Sequence, residues 1–210
     1  MNDSIKNPEY LNIYSPIEDV IYYGGNQSWY HKKWSQESGC GPTCAANITA
    51  YLALTRENLR NLYLNASMEQ SDFTQHMEVM FHYITPGPMG VNSLDKFIKG
   101  FLKYLESRSI SLTPKSLSVN LGDFKKRDVN RLKEFVTEAL MKDCPIAFLN
   151  LSKGSENRLQ GWHWITITHV RFTEDDILAT ASDEGIKREF SLKLWYLTTK
   201  LHGGLIYFEN

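Results

Sequence analysis

The sequence predicts an α+β fold, and two features along its 210 residues carry that prediction. Up to about residue 142 the apolar side chains recur at helical spacing, and after Pro145 they recur at a period close to two. Helices followed by strands of this kind pack as a helical layer against an antiparallel sheet, with a cleft where the layers meet. The expected organisation is a single domain over 1–210, with about 1–143 as the mainly helical layer and 144–210 as the sheet. At 42% hydrophobic and 22% charged the chain can bury a full core, and no repeat, low-complexity tract or Pro/Gly/Ser linker divides it.

Taken in order, "CGPTCAANITAYLALTRENLRNLYL" (40–64) is the first helical segment and "QSDFTQHMEVMFHY" (70–83) the second. The third, 93–107, aligns Leu94, Phe97, Ile98, Phe101, Leu102 and Leu105 on one stripe. A fourth, Val129 to Lys142, gathers Leu132, Phe135, Val136, Ala139 and Leu140. The strands are 145–151, 163–172, 176–183, 188–197 and 203–210, mostly separated by polar or glycine-containing turns. Of these, "REFSLKLWYL" (188–197) also reads as a strand that ends in a short helix.

The chemistry starts at "SQESGCGPTC" (35–44). Gly39 and Gly41 bracket Cys40, and Pro42 suits a first helical residue because its missing N–H has no intrahelical partner there. Cys40 is therefore expected at or just before a helix start. Unpaired backbone N–H groups and the positive end of the helix dipole favour a thiolate there, and the same N–H groups suit an oxyanion. Cys44 lies one turn further in, in line with Ile48 and Leu52, where burial would raise its pKa and leave it inert. Cysteines are more often small buried hydrophobes than nucleophiles, and the flanking glycines and Pro42 set Cys40 apart from that background. C-x-x-x-C is one residue too long for a thioredoxin-type redox pair. No further ligands stand at zinc-like spacing, so neither a metal nor a cofactor is expected.

A nucleophilic cysteine needs a base and a group to orient that base. Among six histidines, His163 opens a strand in "QGWHWITITHV" and so lies at the sheet's rim, whereas His169 falls deeper or at the far end. Asp183 closes the next strand. With an odd loop such as 173–175 it comes opposite Ile165 and shares the face of His163; with an even loop such as 173–176 the pairing needs a bulge. Asp183 can also be read as a turn residue before "EGIK". For an oxyanion donor, Gln36 stands four residues before Cys40, and Asn26 and Gln27 stand farther off; the competing reading of Gln36 is a solvated loop residue. The stretch 82–94, "HYITPGPMGVNSL", is either a substrate-shaping loop containing Gly90 or a plain connection. Trp34, Trp162 and Trp164 are candidate apolar walls for a peptide, with core packing an equal reading for Trp164.

"SQESGCGPTCAANITAYL", "CPIAFLNL", "GWHWITITHV", "ATASDEGIKREFSLKLWYL" and "GGLIYF", in that order, resemble the papain-like cysteine peptidases, in particular the bacterial branch that cuts double-glycine leader peptides. The resemblance runs from about Gln36 to the C-terminus. It implies a papain-like fold, with Cys40 as nucleophile, His163 as general base and later acid, Asp183 as the group that orients the imidazole, and Gln36 as oxyanion donor. Three departures are visible: Gln36 is closer to the cysteine than the family's glutamine, Glu184 follows Asp183 where a proline is common, and the cysteine pair is spaced differently from papain's. The implied reaction passes through an acyl-enzyme on a peptide or amide substrate, released by water in a peptidase or by an amine in an acyltransferase or transpeptidase. A catalytically silent binding domain on the same fold is the reading from another class.

Composition excludes some partners. The formal net charge is −1 with both signs mixed along the chain, so no basic field for nucleic acid is expected. No apolar run approaches the roughly 20 residues of a membrane-spanning helix, and the N-terminus has no basic region followed by an apolar one. Three cysteines are too few and too odd for a disulfide framework, which points to reduced thiols and a cytoplasmic setting.

Overall fold

The computed structural model describes residues 2–122 and 124–210. Strand β1 (Asn2–Ser4) leads into a hairpin of β2 (Asn12–Ser15) and β3 (Val20–Tyr23). Four helices follow: α1 (Lys33–Ser38), α2 (Cys40–Thr55), α3 (Gln70–Tyr83) and α4 (Leu94–Ser107). Then come β4 (Thr113–Val119), α5 (Val129–Met141), β5 (Ile146–Asn150), β6 (His163–Phe172), β7 (Ile177–Asp183), β8 (Ile186–Ser191), α6 (Leu192–Thr198) and β9 (Gly203–Glu209). The expected segment 188–197 divides between β8 and α6, with Ser191 as the cap: its hydroxyl accepts from the Leu194 N–H and ends the strand pattern.

One antiparallel sheet organises the chain, in the order β4-β9-β5-β6-β7-β8. β1 pairs with the far half of β6, on the edge where β5 has ended. Two strands from before residue 120, β1 and β4, thus join a sheet that the sequence confined to residues after 144, because both were too short or too polar to show a period. The sheet is covered on both faces. Ala147, Leu149, Trp164, Ile206 and Phe208 pack against α2, α3 and α4, while Ile146, Phe148, Ile165, Leu205 and Tyr207 pack against α5 and α6. Odd and even positions of β5 and β9 therefore both need apolar side chains, which is why "PIAFL" and "GLIYF" read as continuous runs.

Helix α2 is the central pillar. Thirteen of its 16 residues, Gly41 through Ala53, are buried, and Ala45, Ala46, Ala50 and Ala53 keep it slim enough to be surrounded. By contrast, α4 is amphipathic: Phe97, Phe101 and Tyr104 are buried and Leu102 faces outward, off the stripe that was drawn for it.

Candidate active site

Cys40 is the first residue of α2 and the only cysteine that is not buried. The preceding helix stops at Ser38, and Gly39 makes the corner: a Cβ there would fall 2.3 Å from the Tyr30 ring and 2.4 Å from the Ser35 carbonyl. No larger residue fits that corner. Pro42 is the third helical residue rather than the first, still within the turn whose N–H groups lack partners, and the first intrahelical bond runs from Thr43 N–H to Gly39 O at 2.9 Å. One turn on, Cys44 is wholly buried, its thiol donating to Ile165 O and accepting from Thr166 Oγ1, each at 3.3 Å. Burial pushes that thiol up to about 12.

His163 opens β6, 7% exposed, with Nε2 2.8 Å from Asp183 Oδ1. Its ring and Cys40 line the same small cavity, and the nitrogen left free by Asp183 is Nδ1. Burial works against a charge on this ring, but Asp183 and Cys40 outweigh it and hold the imidazole well above its ordinary pKa. Burial likewise opposes charge on Asp183, and His163 together with Arg188, whose Nε donates to Asp183 Oδ2, holds the carboxyl below its usual range.

The register behind this pairing has a visible cause. The β6–β7 loop is residues 173–176, an even number, and a bulge inserts Thr168 between the pairs Ile167↔Ala181 and His169↔Thr180. Beyond the bulge Thr166 faces Ser182, so Asp183 falls opposite Ile165 and recovers the face of His163. The buried positions record the slip: Ile165 and Ile167 before it, Val170 after it. Asp183 is the last residue of β7, and the turn that follows is Glu184 and Gly185, both at positive φ, a two-residue hairpin.

A buried polar network ties the cysteine helix to this hairpin. Asn47 of α2 accepts from Gly25 N–H at 2.8 Å and donates to Thr166 Oγ1 at 3.1 Å and Ser182 Oγ at 3.2 Å. Ser182 in turn donates to Tyr23 O, and Asn26 Nδ2 donates to Glu184 O. Helix, β6, β7 and the segment 23–26 are thereby fixed to one another through a single side-chain amide and its neighbours.

The structure places Gln36 away from this cluster. It is exposed on α1 with Nε2 donating to Tyr30 O at 2.7 Å, because the short helix turns its side chain back along the chain. Gln27 lies there instead, lining a small cavity with Cys40, His163 and Thr43, its Oε1 buried without a partner among the described residues.

Beside Cys40 runs a groove of about 290 Å³, walled by Trp34, Trp162, Met89 and Leu151 and bounded by Gly90 and Glu37. Trp162 is 48% exposed and held at φ +58°, a left-handed conformation that is uncommon for a bulky residue. That backbone sets its indole beside the groove immediately before His163. Gly90 has φ +65° and closes a tight turn with Gly87 through two backbone hydrogen bonds. Trp164 is a core residue: it stacks on Phe97 at 4.4 Å and donates to Val91 O at 2.6 Å, anchoring the loop that carries Gly90. Among the described residues no group of three or more His, Cys, Asp or Glu is arranged to hold a metal ion.

Neither a family model nor a curated protein matches the sequence. Among solved structures, UfSP from C. elegans, a cysteine protease with a papain-like fold, superposes with a TM-score of 0.55 at 10% identity, over the whole of this chain and 34% of that one. This chain has the papain-like fold. It spans about a third of the length of UfSP.

In this papain-like domain, the sequence motifs point to Cys40, His163 and Asp183, rank Gln27 behind Gln36 as the more distant amide, and give no role to Asn47. Gln27 is 13 residues upstream of Cys40, and nothing local marks a loop that returns to the helix it precedes. The signal present was Gly24-Gly25: Gly24 has φ +77°, and a Cβ on it would stand 2.0 Å from Ser182 Oγ. Asn47 carried a signal too, as a polar residue at the centre of a helix that is otherwise apolar or small.

Proposed function

We propose that the protein is a cysteine peptidase that hydrolyses a peptide or amide bond through Cys40, His163 and Asp183. The observation that carries this reading is that the half-buried thiol at the head of α2 and the His163 ring meet on one small cavity, with His163 bonded to Asp183 and Asp183 to Arg188. Cys40 as a thiolate attacks the carbonyl carbon while His163 is an imidazolium. Gln27 Nε2 and the N–H groups of the first turn of α2 face the developing oxyanion. Collapse expels the amine, which takes its proton from His163 and leaves a thioester on Cys40. Water, deprotonated by His163, then releases the acid. An amine acceptor in place of water turns the same intermediate into a transferase, and product analysis separates the two.

Trp162 and Gly90 belong to the substrate groove in this reading. The groove touches Cys40 but not His163, which puts it on the acyl side, since the leaving amine must lie against the proton donor. The order Cys, His, Asp and its motifs favour the double-glycine leader peptidase branch, and three free thiols fit a cytoplasmic setting.

Mass-spectrometric mapping of iodoacetamide labelling at pH 6 tests the proposal. Selective labelling of Cys40 that collapses in His163→Ala is the expected result. Equal labelling without His163, or none in either protein, sinks the peptidase and leaves a silent binding domain.

A further inference from the structure

The loop 85–91 has two sides, and only one faces the groove at Cys40. On the other side lies a second groove of about 560 Å³, bounded by His82 and Thr85 at the end of α3 and by Lys96, Lys99 and Lys103 of α4. Val91 lines both grooves, so they are one loop apart. The three lysines fall at i, i+3 and i+7, on one face of the helix. Gly100 forms the floor between them, where a Cβ would stand 2.6 Å from Tyr83 O; its bareness lets α4 approach the end of α3.

The charges here are unbalanced. Among the described residues no carboxylate lines this groove and no ion pair holds Lys96, Lys99 or Lys103. Lys96 Nζ donates only to the neutral Asn92 Oδ1, at 2.7 Å. Three lysines elsewhere, Lys33, Lys115 and Lys142, do stand in ion pairs. On a molecule of net charge −1, three lysines lining one groove make a local positive patch.

We infer that this groove binds an acidic segment of the peptide substrate, on the acyl side of the bond cleaved at Cys40. The inference rests on the peptidase reading for its placement and on charge complementarity for its chemistry. An extended chain leaving the apolar groove past Met89 and Gly90 crosses a single loop to reach the lysines. The open row of cations fits successive carboxylates along a strand better than a single compact anion. Recognition is therefore bipartite, with an apolar side chain near the scissile bond and Asp or Glu residues upstream of it.

Two measurements test this. The first digests a proteome-derived peptide library and reads the cleaved sites by mass spectrometry. Asp and Glu should be enriched several-fold upstream of the cut, and the enrichment should vanish in K96E/K99E/K103E, whose substituted positions are all exposed. Cleavage with no acidic preference, or a preference that the triple variant keeps, overturns the inference. The second measures anisotropy of fluorescein-labelled hexaglutamate on Cys40→Ala, with hexaglutamine as the control, and needs no catalysis. Hexaglutamate should bind, about tenfold or more weaker in the charge-reversed background, and should dissociate as salt is raised. Absence of hexaglutamate binding, or binding of pyrophosphate in its place, overturns the acidic-peptide assignment. If the library is untouched while hexaglutamate binds through the lysines, the peptidase reading has failed and the anion-binding groove stands.

Discussion

Helix α2 carries one cysteine in its first turn and another one turn further in, and a buried histidine packs against each end of this comparison, His163 at the head and His76 at Thr49, with opposite outcomes. At the head, Cys40 is half-buried and meets His163, whose ring is held above its ordinary pKa by Asp183 and Cys40 against the pull of burial. In the middle, Cys44 is sealed with its thiol pushed up to about 12, and Thr49 Oγ1 sits 2.7 Å from His76 Nε2. Among the described residues His76 has no carboxylate partner; burial first, and the Arg108 charge second, lower its pKa to about 3. Residue type is the same in both regions. What differs is whether the site offers a counter-charge and an opening, and only the head of the helix offers both.

The sharpest way to break this comparison is to exchange the thiols' fates. Cys40→Ala should lower kcat/KM by a factor on the order of 10⁴ or more. Cys44→Ala should leave kcat within a few-fold of wild type and reduce stability by about 1 kcal/mol, read from urea unfolding. Activity lost equally in both variants would mean that the head of α2 is not special.

A smaller effect separates the two glutamines. Gln27→Ala should cost about 10²–10³ in kcat with little change in KM, whereas Gln36→Ala should behave as wild type, because its amide already serves Tyr30 O. The reverse order would return the oxyanion role to α1.

The pH profile tests the head of the helix more gently. With the His163 pKa raised, the imidazolium that protonates the leaving amine persists well above the ordinary value of about 6.5, so kcat/KM should fall only on the far alkaline side. Asp183→Asn removes one of the groups that hold this proton, and it leaves Arg188 without its carboxylate. The alkaline limb should therefore move to lower pH. A limb that stays in place would exclude Asp183 as its cause.

His76 gives the smallest readout and concerns stability alone. Its folded-state pKa lies near 3, so between that and about 6.5 the unfolded chain binds the extra proton. The contribution is fully present above 6.5 and is lost as pH falls toward 3, a swing on the order of several kcal/mol. Melting curves at pH 7 and pH 5 should diverge in the wild type, and His76→Gln should narrow the gap.

Much of this molecule was legible in its sequence because much of it is local. A helix of small apolar residues behind Gly-Cys-Gly-Pro, a histidine opening a strand and an aspartate closing the next each announce themselves within a few residues. The segments 70–83 and 129–142 hold their helical period because one face of each meets the core. The stripe drawn on α4 was too wide by Leu102, since tertiary packing rather than period chooses how much of a face is covered.

What only the tertiary structure decided is whatever depends on two distant segments meeting. The sequence posed the register of Asp183 as a choice between odd and even loops. The answer, an even loop corrected by Thr168, rests on contacts of that residue with Tyr23 and Thr180 that no window around it contains. The same holds for Gln27, carried back to Cys40 by a loop tied to Asn47 and Glu184. It holds as well for β1, whose three residues have no period of their own and become a strand only because β5 leaves half of β6 unpaired. Local propensity determines which residues can form an element. The burial and hydrogen-bonding demands of the rest of the chain determine which side chains those elements bring together.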